Sequence, residues 1–458
     1  MSITIINPAT QETIQTLESM DDGQIAEAFA AARHAQGLWA ATPLAERIAI
    51  LRRFRGLLVE RRETLAATLT SEVGKPLKQS RNELTGVLAR IDFFLESVQT
   101  VTQTQVVTDD TSNKLVERIT YEPLGVIANI SAWNYPYLVG CNVFVPALLT
   151  GNAVLYKPSE FAALTGLAIA SALHDAGVPK DVFIPIVGDG AAGASILRNS
   201  VNGVFFTGSY ATGKKIAEAV ASRMIKIQLE LGGKDAVYVA EDVDGAAVAA
   251  GIADGAFYNC GQSCCSVERI YVHEQVYESF LRAFVDEVGS FAVGDPLAED
   301  TYIGPLTRAQ QVAVLEDQVS DAKEHGATLL LGGKRVAGGR GNFFEPTVFV
   351  GVDHRMKLMS EESFGPIIGI QKVASDDEAV ALMNDSPYGL TGAVYTPDRS
   401  RAERILSQIN VGSAYWNCCD RVAPKLPWTG RGHSGMGSTL SFAGIIAFVT
   451  PKAWHLRG

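Results

Sequence analysis

The 458-residue chain has no apolar stretch of the length a bilayer crossing takes, about 20 residues. Its longest apolar runs are each interrupted by Asn, Pro, Gly or Tyr. The opening residues, Met1 to Pro8, have neither a basic segment nor an apolar one, so no secretory leader is expected there. Cysteine is sparse. Six in so long a chain make no disulfide framework, and two pairs are sequence neighbours, Cys264-Cys265 and Cys418-Cys419. Reduced thiols in a cytoplasmic protein are expected. The seven histidines are scattered and form no HExxH, so no metal site is expected, and neither a GxSxG nor a P-loop is present. Basic residues are outnumbered, 39 Lys and Arg against 50 Asp and Glu, a net charge of −11. That field repels phosphate backbones, so no nucleic-acid partner is expected. Low-complexity tracts and fixed-period repeats are absent as well.

What remains is globular. Hydrophobic residues make up 47% of the chain, and its length exceeds what one core usually serves, about 250–300 residues, so two or more domains are expected. The first hundred residues read as helical. Apolar positions recur every three or four residues over 25–39 and 44–69, with Asp22 as a cap and Thr42-Pro43 opening the second helix. Residues 115–122 alternate like a half-buried strand. From 124 onward short apolar runs at 125–130, 153–156, 182–187 and 201–206 alternate with Ala-rich helical segments, and the pattern resumes at 236–239 and 270–272. Such alternation implies βαβ units with parallel sheets, in two α/β units joined near 230–234. The short β-like stretch 448–451 is left to pair outside its own sheet.

Several segments suit chemistry, though each has a plain structural reading beside it. Gly188, Gly190 and Gly193 fit a dinucleotide fingerprint, but no acidic residue follows about 20 positions on, and a tight turn explains them as well. Lys157 and Glu160, after a strand, suit the hydroxyls of a ribose or else are solvated charges. Phe206-Thr207-Gly208-Ser209 lets a phosphate or flat ring approach backbone, or is simply a turn. Glu230 sits among apolar neighbours before Gly232-Gly233, where its charged form is disfavoured and it suits a general base; its plain reading is an exposed strand position. Most suggestive is Asn259-Cys260-Gly261-Gln262-Ser263-Cys264-Cys265, whose small polar residues leave room for a carbonyl beside a thiol.

In order along nearly the whole chain, these segments resemble the aldehyde dehydrogenase superfamily. The ordered set is Ala132-Trp133-Asn134-Tyr135-Pro136, Gly151-Asn152 leading to Lys157-Pro158-Ser159-Glu160, Phe206-Thr207-Gly208-Ser209, Leu229-Glu230-Leu231-Gly232-Gly233-Lys234, Asn259 to Cys264, Glu362-Ser363-Phe364-Gly365-Pro366, and Pro427-Trp428-Thr429-Gly430 with Ser434-Gly435. The resemblance implies NAD(P)-dependent oxidation of an aldehyde to a carboxylic acid. Cys264 would attack the carbonyl, Asn134 would hold the oxyanion, and Glu230 would activate the water that hydrolyses the thioester. Cofactor contacts would come from Trp133, Lys157, Ser159, Glu160, Gly190, Phe206, Gly208, Ser209, Leu231, Glu362 and Phe364. The carboxylate of Glu160 would repel a 2′-phosphate, so NAD is expected over NADP.

The fold this implies is α/β: a Rossmann-like cofactor domain (1–109 and 123–231), an α/β catalytic domain (232–442) and a small β oligomerisation extension (110–122 and 443–458), with a homodimer or homotetramer. By position, Tyr135, Leu138, Val139, Asn142, Ser263, Cys265, Val422 and Trp428 would line the aldehyde tunnel, favouring medium-chain aliphatic or aromatic aldehydes. A semialdehyde carboxylate could meet Arg421, although a surface pair of Asp420 with Arg421 accounts for that residue. The same motifs also fit a coenzyme-A-acylating enzyme or an idle cofactor-binding relative, and Glu230 counts against the first. Departures from the family are Ala132 for Pro, Asp235-Ala236 after the Gly-Gly-Lys, Val143 for a Lys, and Ser438-Thr439 for Arg-Glu. The last two remove groups that relay protons in many members. Oxidation that joins Cys264 to Cys265 would block the thiol.

Overall fold

A computed structural model describes residues 1–338 and 340–458. The alternating runs build two mainly parallel sheets. In the first the strands lie in the order Gly435–Met436, Lys226–Glu230, Gly203–Thr207, Val126–Ile130, Ala153–Lys157 and Phe183–Pro185, all parallel except the two-residue edge strand. Every position of Val126–Ile130 and Ala153–Lys157 is buried, since helices cover both faces. Full burial on both sides is why these strands read as unbroken apolar runs. Alternate residues serve two cores: Ile127, Val154, Tyr156 and Phe205 pack in one, and Val126, Ala128, Leu155, Val204 and Phe206 in the other.

Strand order runs outward from Val126–Ile130 to Phe183–Pro185, then returns to the opposite side at Gly203–Thr207. Reversals of this kind open a crevice at the carboxyl ends of the strands, where α/β proteins place their ligands. A second sheet of seven strands, Thr328–Leu331, Thr347–Val350, Ile367–Val373, Arg269–His273, Ala236–Val239, Thr391–Tyr395 and Ser413–Trp416, has its own core. A third, antiparallel sheet joins Val449–Arg457 to Leu115–Pro123 to Gln105–Asp110.

The structure departs from sequence expectation near the start. Ser2–Ile6 and Thr13–Glu18 form an antiparallel hairpin that helical periodicity overlooks. Helix Asp22–Ala41 is capped by Asp21, not Asp22: Asp21 accepts from the Gln24 backbone, and the Gln24 side chain accepts from the Asp21 amide. The segment expected as one helix over 44–69 breaks at Arg61 into Leu44–Glu60 and Arg62–Val73. Gln105–Asp110 pairs with Leu115–Pro123, and Gly435–Met436, from a segment late in the sequence, pairs with Lys226–Glu230 of the first sheet.

Candidate active site

The crevice is lined by the turns that follow parallel strands. A cavity of about 270 Å³ is bounded by Ala132, Trp133 and Asn134 after the central strand, Thr207 to Ser209 after its neighbour, and Glu230 to Gly232 after the next. From the segments around the other sheet come Cys264, Glu362 and Phe364 in loops, and Arg308, Gln311 and Val314 at the start of helix Ala309–Glu324. Residues more than 200 positions apart in sequence thus share one wall. Lys157, Ser159, Glu160 and Gly190 stand at the carboxyl ends of the outer two strands, beyond this cavity, while Phe206 is buried beneath Gly208. Lys157 and Glu160 form an ion pair at 3.1 Å, so both point the same way from the strand end.

Cys264, half-buried, is held by an unusual stretch of backbone. Asn259, Cys260 and Gly261 take φ values of 54°, 59° and 69°, consecutive left-handed residues of the kind that persist only where surroundings enforce them. Those surroundings are hydrogen bonds. The Asn259 amide donates to Gln79 Oε1 at 2.9 Å, its side chain donates to the Gln262 carbonyl at 3.1 Å, and Gln262 Oε1 accepts from the Thr307 backbone at 3.0 Å. The side-chain amide of Asn134 donates to the same Gln262 carbonyl at 3.1 Å, which sets it beside the cysteine loop. A Cβ on Gly261 would lie 2.2 Å from the Gly365 carbonyl. Gly261→Ala is therefore expected to destabilise the fold by about 2 kcal/mol through strain at positive φ and to cut turnover disproportionately; thermal melting and initial rates of one preparation check this.

Glu230 ends its strand fully enclosed. Its Oε1 accepts from Gln228 at 3.3 Å and from the Thr439 hydroxyl at 3.2 Å, while Oε2 has no partner among the described residues. Burial pushes its pKa up to about 8, opposed only in part by those two donors. Thr439 is fixed by paired backbone bonds with Trp428, 2.8 and 2.9 Å. Where a proton relay was expected to be missing, the Thr439 side chain thus touches the carboxylate directly, whereas Val143 is packed in the core.

Glu362 reaches the far side of the cavity and accepts from the Gly233 amide at 3.0 Å. Burial, then the negative Glu268, raise its pKa to about 8. Its loop is pinned by a buried pair: Lys234 meets Glu268 at 2.6 Å, and Glu268 accepts from the amides of Ser363 and Phe364 at 2.8 and 2.9 Å. Phe364, at φ 47°, puts its ring edge-on to Trp133, centroids 5.6 Å apart. A Cβ on Gly232 would fall 2.1 Å from the Glu362 carboxylate, so that approach needs glycine.

The aldehyde dehydrogenase family model matches residues 1–454. The chain belongs to the aldehyde dehydrogenase family. It is 34% identical to a succinate-semialdehyde dehydrogenase [NADP(+)] of Deinococcus radiodurans over 98% of this chain and 93% of that one. It is equally 34% identical to a betaine aldehyde dehydrogenase of Brucella canis, over 99% and 93%. An NAD-dependent aldehyde dehydrogenase from Sinorhizobium meliloti superposes with a TM-score of 0.95 at 32% identity, covering 100% of this chain and 91% of that one. An NAD(P)-dependent aldehyde oxidoreductase on a cofactor-domain and catalytic-domain fold is what this membership establishes. No helix among the described residues is long and apolar enough to cross a membrane.

For this aldehyde dehydrogenase the arrangement of Asp420 and Arg421 differs from expectation. Asp420 is not paired with Arg421 at the surface. Its Oδ1 accepts from Cys265 Sγ at 2.9 Å, and burial raises its carboxyl to about 7. Arg421 stays exposed, its carbonyl taken by the Tyr415 hydroxyl. The acid turns inward because Asp420 itself has φ 49°, which reverses the chain between the two side chains. Tyr135, Leu138 and Val139 are half-buried at the start of helix Pro136–Leu149, with Asn142, Ser263, Cys265 and Trp428 buried and Val422 partly so.

Besides Glu268 and Arg308, three buried charged residues were not singled out from sequence. Lys75 and Glu83 form a fully buried pair, Lys75 lying over the Tyr135 ring at 3.6 Å and Glu83 accepting from the Tyr137 amide at 2.9 Å. That carboxylate sits at the positive end of helix Pro136–Leu149. Arg90 is the third. Glu83 and Arg90 look like the solvated face of amphipathic helix Leu77–Thr102, and Lys75 like a charge in the exposed turn before it, so no local signal distinguishes them.

Proposed function

We propose that the protein oxidises an aldehyde to the carboxylic acid with Cys264 as nucleophile, Asn134 as oxyanion donor and Glu230 as general base, water being the final acyl acceptor. One observation carries the reading: Cys264, Asn134 and Glu230, from three distant segments, border a single cavity, with Glu230 buried and one oxygen unpartnered. The thiolate adds to the carbonyl, and the oxygen that gains charge is met by the Asn134 side chain, a type of donor typically worth about 2.7–4 kcal/mol in the transition state. The residues present suit a dinucleotide: small residues at Gly208 and Gly232 admit it to the cavity, the Glu362 carboxylate there suits a ribose hydroxyl, and Glu160, beyond the cavity at the end of the neighbouring strand, suits those of the second ribose. Bound there, the nicotinamide supplies the hydride acceptor. Glu230 then takes a proton from water as it attacks the thioester, and the freed thiolate leaves readily.

The experiment is NADH formation across a panel of aldehydes with and without coenzyme A. Turnover without it supports hydrolysis, and turnover only with it would move the protein to the acylating branch. NAD is the preferred cofactor in this reading because a carboxylate at Glu160 would accept from a ribose 2′-hydroxyl and repel a 2′-phosphate. Glu160→Gln is expected to shift the NAD-to-NADP ratio of kcat/KM toward NADP by about tenfold, an effect of one partly exposed charge; steady-state rates with both cofactors check it. A homodimer or homotetramer is proposed from the edge strand Gln105–Asp110, whose Val106 and Val107 are more than 60% exposed. Light scattering measures it.

A further inference from the structure

Helix Leu77–Thr102 lies against helix Pro136–Leu149, and two rows of side chains face each other there. Gly86 stands opposite Leu138, where a Cβ would sit 3.7 Å from Leu138 Cδ2. One turn further along both helices, Arg90 Nη1 donates to Asn142 Oδ1 at 3.0 Å. Positions four apart share a helix face, so Gly86 with Arg90 and Leu138 with Asn142 form matched rows. Leu138 and Asn142 are the residues expected to wall the aldehyde tunnel.

Arg90 is only 8% exposed, and its bond to a neutral amide is the sole side-chain hydrogen bond it makes among the described residues. It forms no ion pair there. A guanidinium has five donors and keeps its charge in proteins. Among the described residues no carboxylate hydrogen-bonds to it, although Glu83 and Glu230 lie near enough to feel its charge. Glu83, on the same helix, holds Lys75 and the Tyr137 amide. Asp420 accepts from Cys265, and Glu230 accepts from Gln228 and Thr439. Burial weighs against the charge of Arg90, and the Glu83 carboxylate on its own helix offsets that in part without a hydrogen bond. A buried cation without an anion costs free energy, and loses that cost when an anion docks against it.

We propose that Arg90 is the specificity-determining residue of this aldehyde dehydrogenase and binds a carboxylate on the substrate, making the substrate class the ω-oxo acids: aldehydes whose far end carries a carboxylate. The apolar walls at Leu138, Val139, Val422 and Trp428 hold the carbon chain or ring between the two ends. This rests on Cys264 as the nucleophile that receives the aldehyde end. Identity to relatives does not choose among substrates, since one relative is named for an anionic aldehyde and another for a cationic one.

The test compares matched pairs differing only in that charge: ω-oxo acids of three to six carbons against alkanals of the same length, and 4-carboxybenzaldehyde against benzaldehyde, with betaine aldehyde as the cationic member. For at least one pair the acid is expected to have a kcat/KM about 10²-fold or more higher, because its neutral partner leaves the buried charge unmet. In Arg90→Met that ratio should fall to near one, with Arg90→Lys in between. Equal or lower kcat/KM for the acids at every length, or betaine aldehyde as the best substrate, overturns the proposal.

A second readout needs neither turnover nor a variant. Glutarate should slow alkylation of Cys264 by iodoacetamide while valeramide does not. Equal protection by both overturns the Arg90 assignment even where Arg90→Met fails to fold. If glutarate alone protects but no aldehyde yields NADH, the carboxylate site stands and the hydrolytic reading falls. If aldehydes are oxidised without preference for acids, the reverse holds.

Discussion

Cys264→Ala is expected to abolish NADH formation, by about 10⁴-fold or more, while NAD still binds. Loss of a nucleophile removes the covalent path altogether, and what remains comes from binding and oxyanion stabilisation alone. Binding should survive because the cavity is shaped mainly by other residues, Trp133, Gly208, Glu362 and Phe364 among them. Quenching of Trp133 fluorescence on NAD titration and absorbance at 340 nm read the two properties from one sample. The neighbouring thiol is the control. Cys265 is buried, and its pKa is raised by Cys264 beside it and by burial, with Asp420 adding to the effect, so it is a poor thiolate. Cys265→Ser should keep most activity; if instead Cys264→Ala kept it, the nucleophile would be misassigned.

Glu230→Gln is expected to slow steady-state turnover by about 10²–10⁴-fold, the usual reach of a general base. One equivalent of NADH should still appear in a burst, since the slowed step is thioester hydrolysis. With a pKa of about 8, wild-type Glu230 is mostly protonated at neutral pH, so the hydrolysis rate should climb as pH rises through 8, and this limb should vanish in the variant.

The same group has an opposite effect on stability. Unfolded, the carboxyl titrates at its ordinary value near 4.5; folded, near 8. Between those values the native state binds more protons than the unfolded state, so stability falls as pH rises. The cost above pH 8 is on the order of a few kcal/mol. Glu230→Gln should therefore melt higher than wild type at pH 9 and close to it at pH 5. Scanning calorimetry at the two values checks the sign.

The parallel strands were legible because full burial leaves an unmistakable apolar run, and 236–239 coincides with Ala236–Val239. The hairpin Ser2–Ile6 with Thr13–Glu18 was not, since its second strand is mostly exposed and carries little apolar signal. Arg61 was hidden for a different reason: amphipathic spacing continues through the break, and only backbone angles of −96° and 11° mark it. At the site, the cysteine loop and Glu230 stood out from their small or apolar neighbours. Glu268, Glu83 and Arg90 did not, because their meaning lies in partners 34, 8 and 52 positions away that only folding reveals. The inward turn of Asp420 depends on a single left-handed residue, which no side-chain pattern announces.

The strand bearing Glu230 is completed by Gly435–Met436, and the carboxylate by Thr439, 209 positions further along the chain. Chains emerge from the ribosome at about 5–20 residues per second and fold from the amino end. Hundreds of residues are thus made after Val126–Ile130, and well over a hundred after Cys264, before the last partner of Glu230 exists. A nascent or truncated chain can carry the thiol, the amide and the carboxylate and still lack the clasp that holds the base. The contact that holds the Glu230 carboxylate is thus made later than the thiol and the amide it faces.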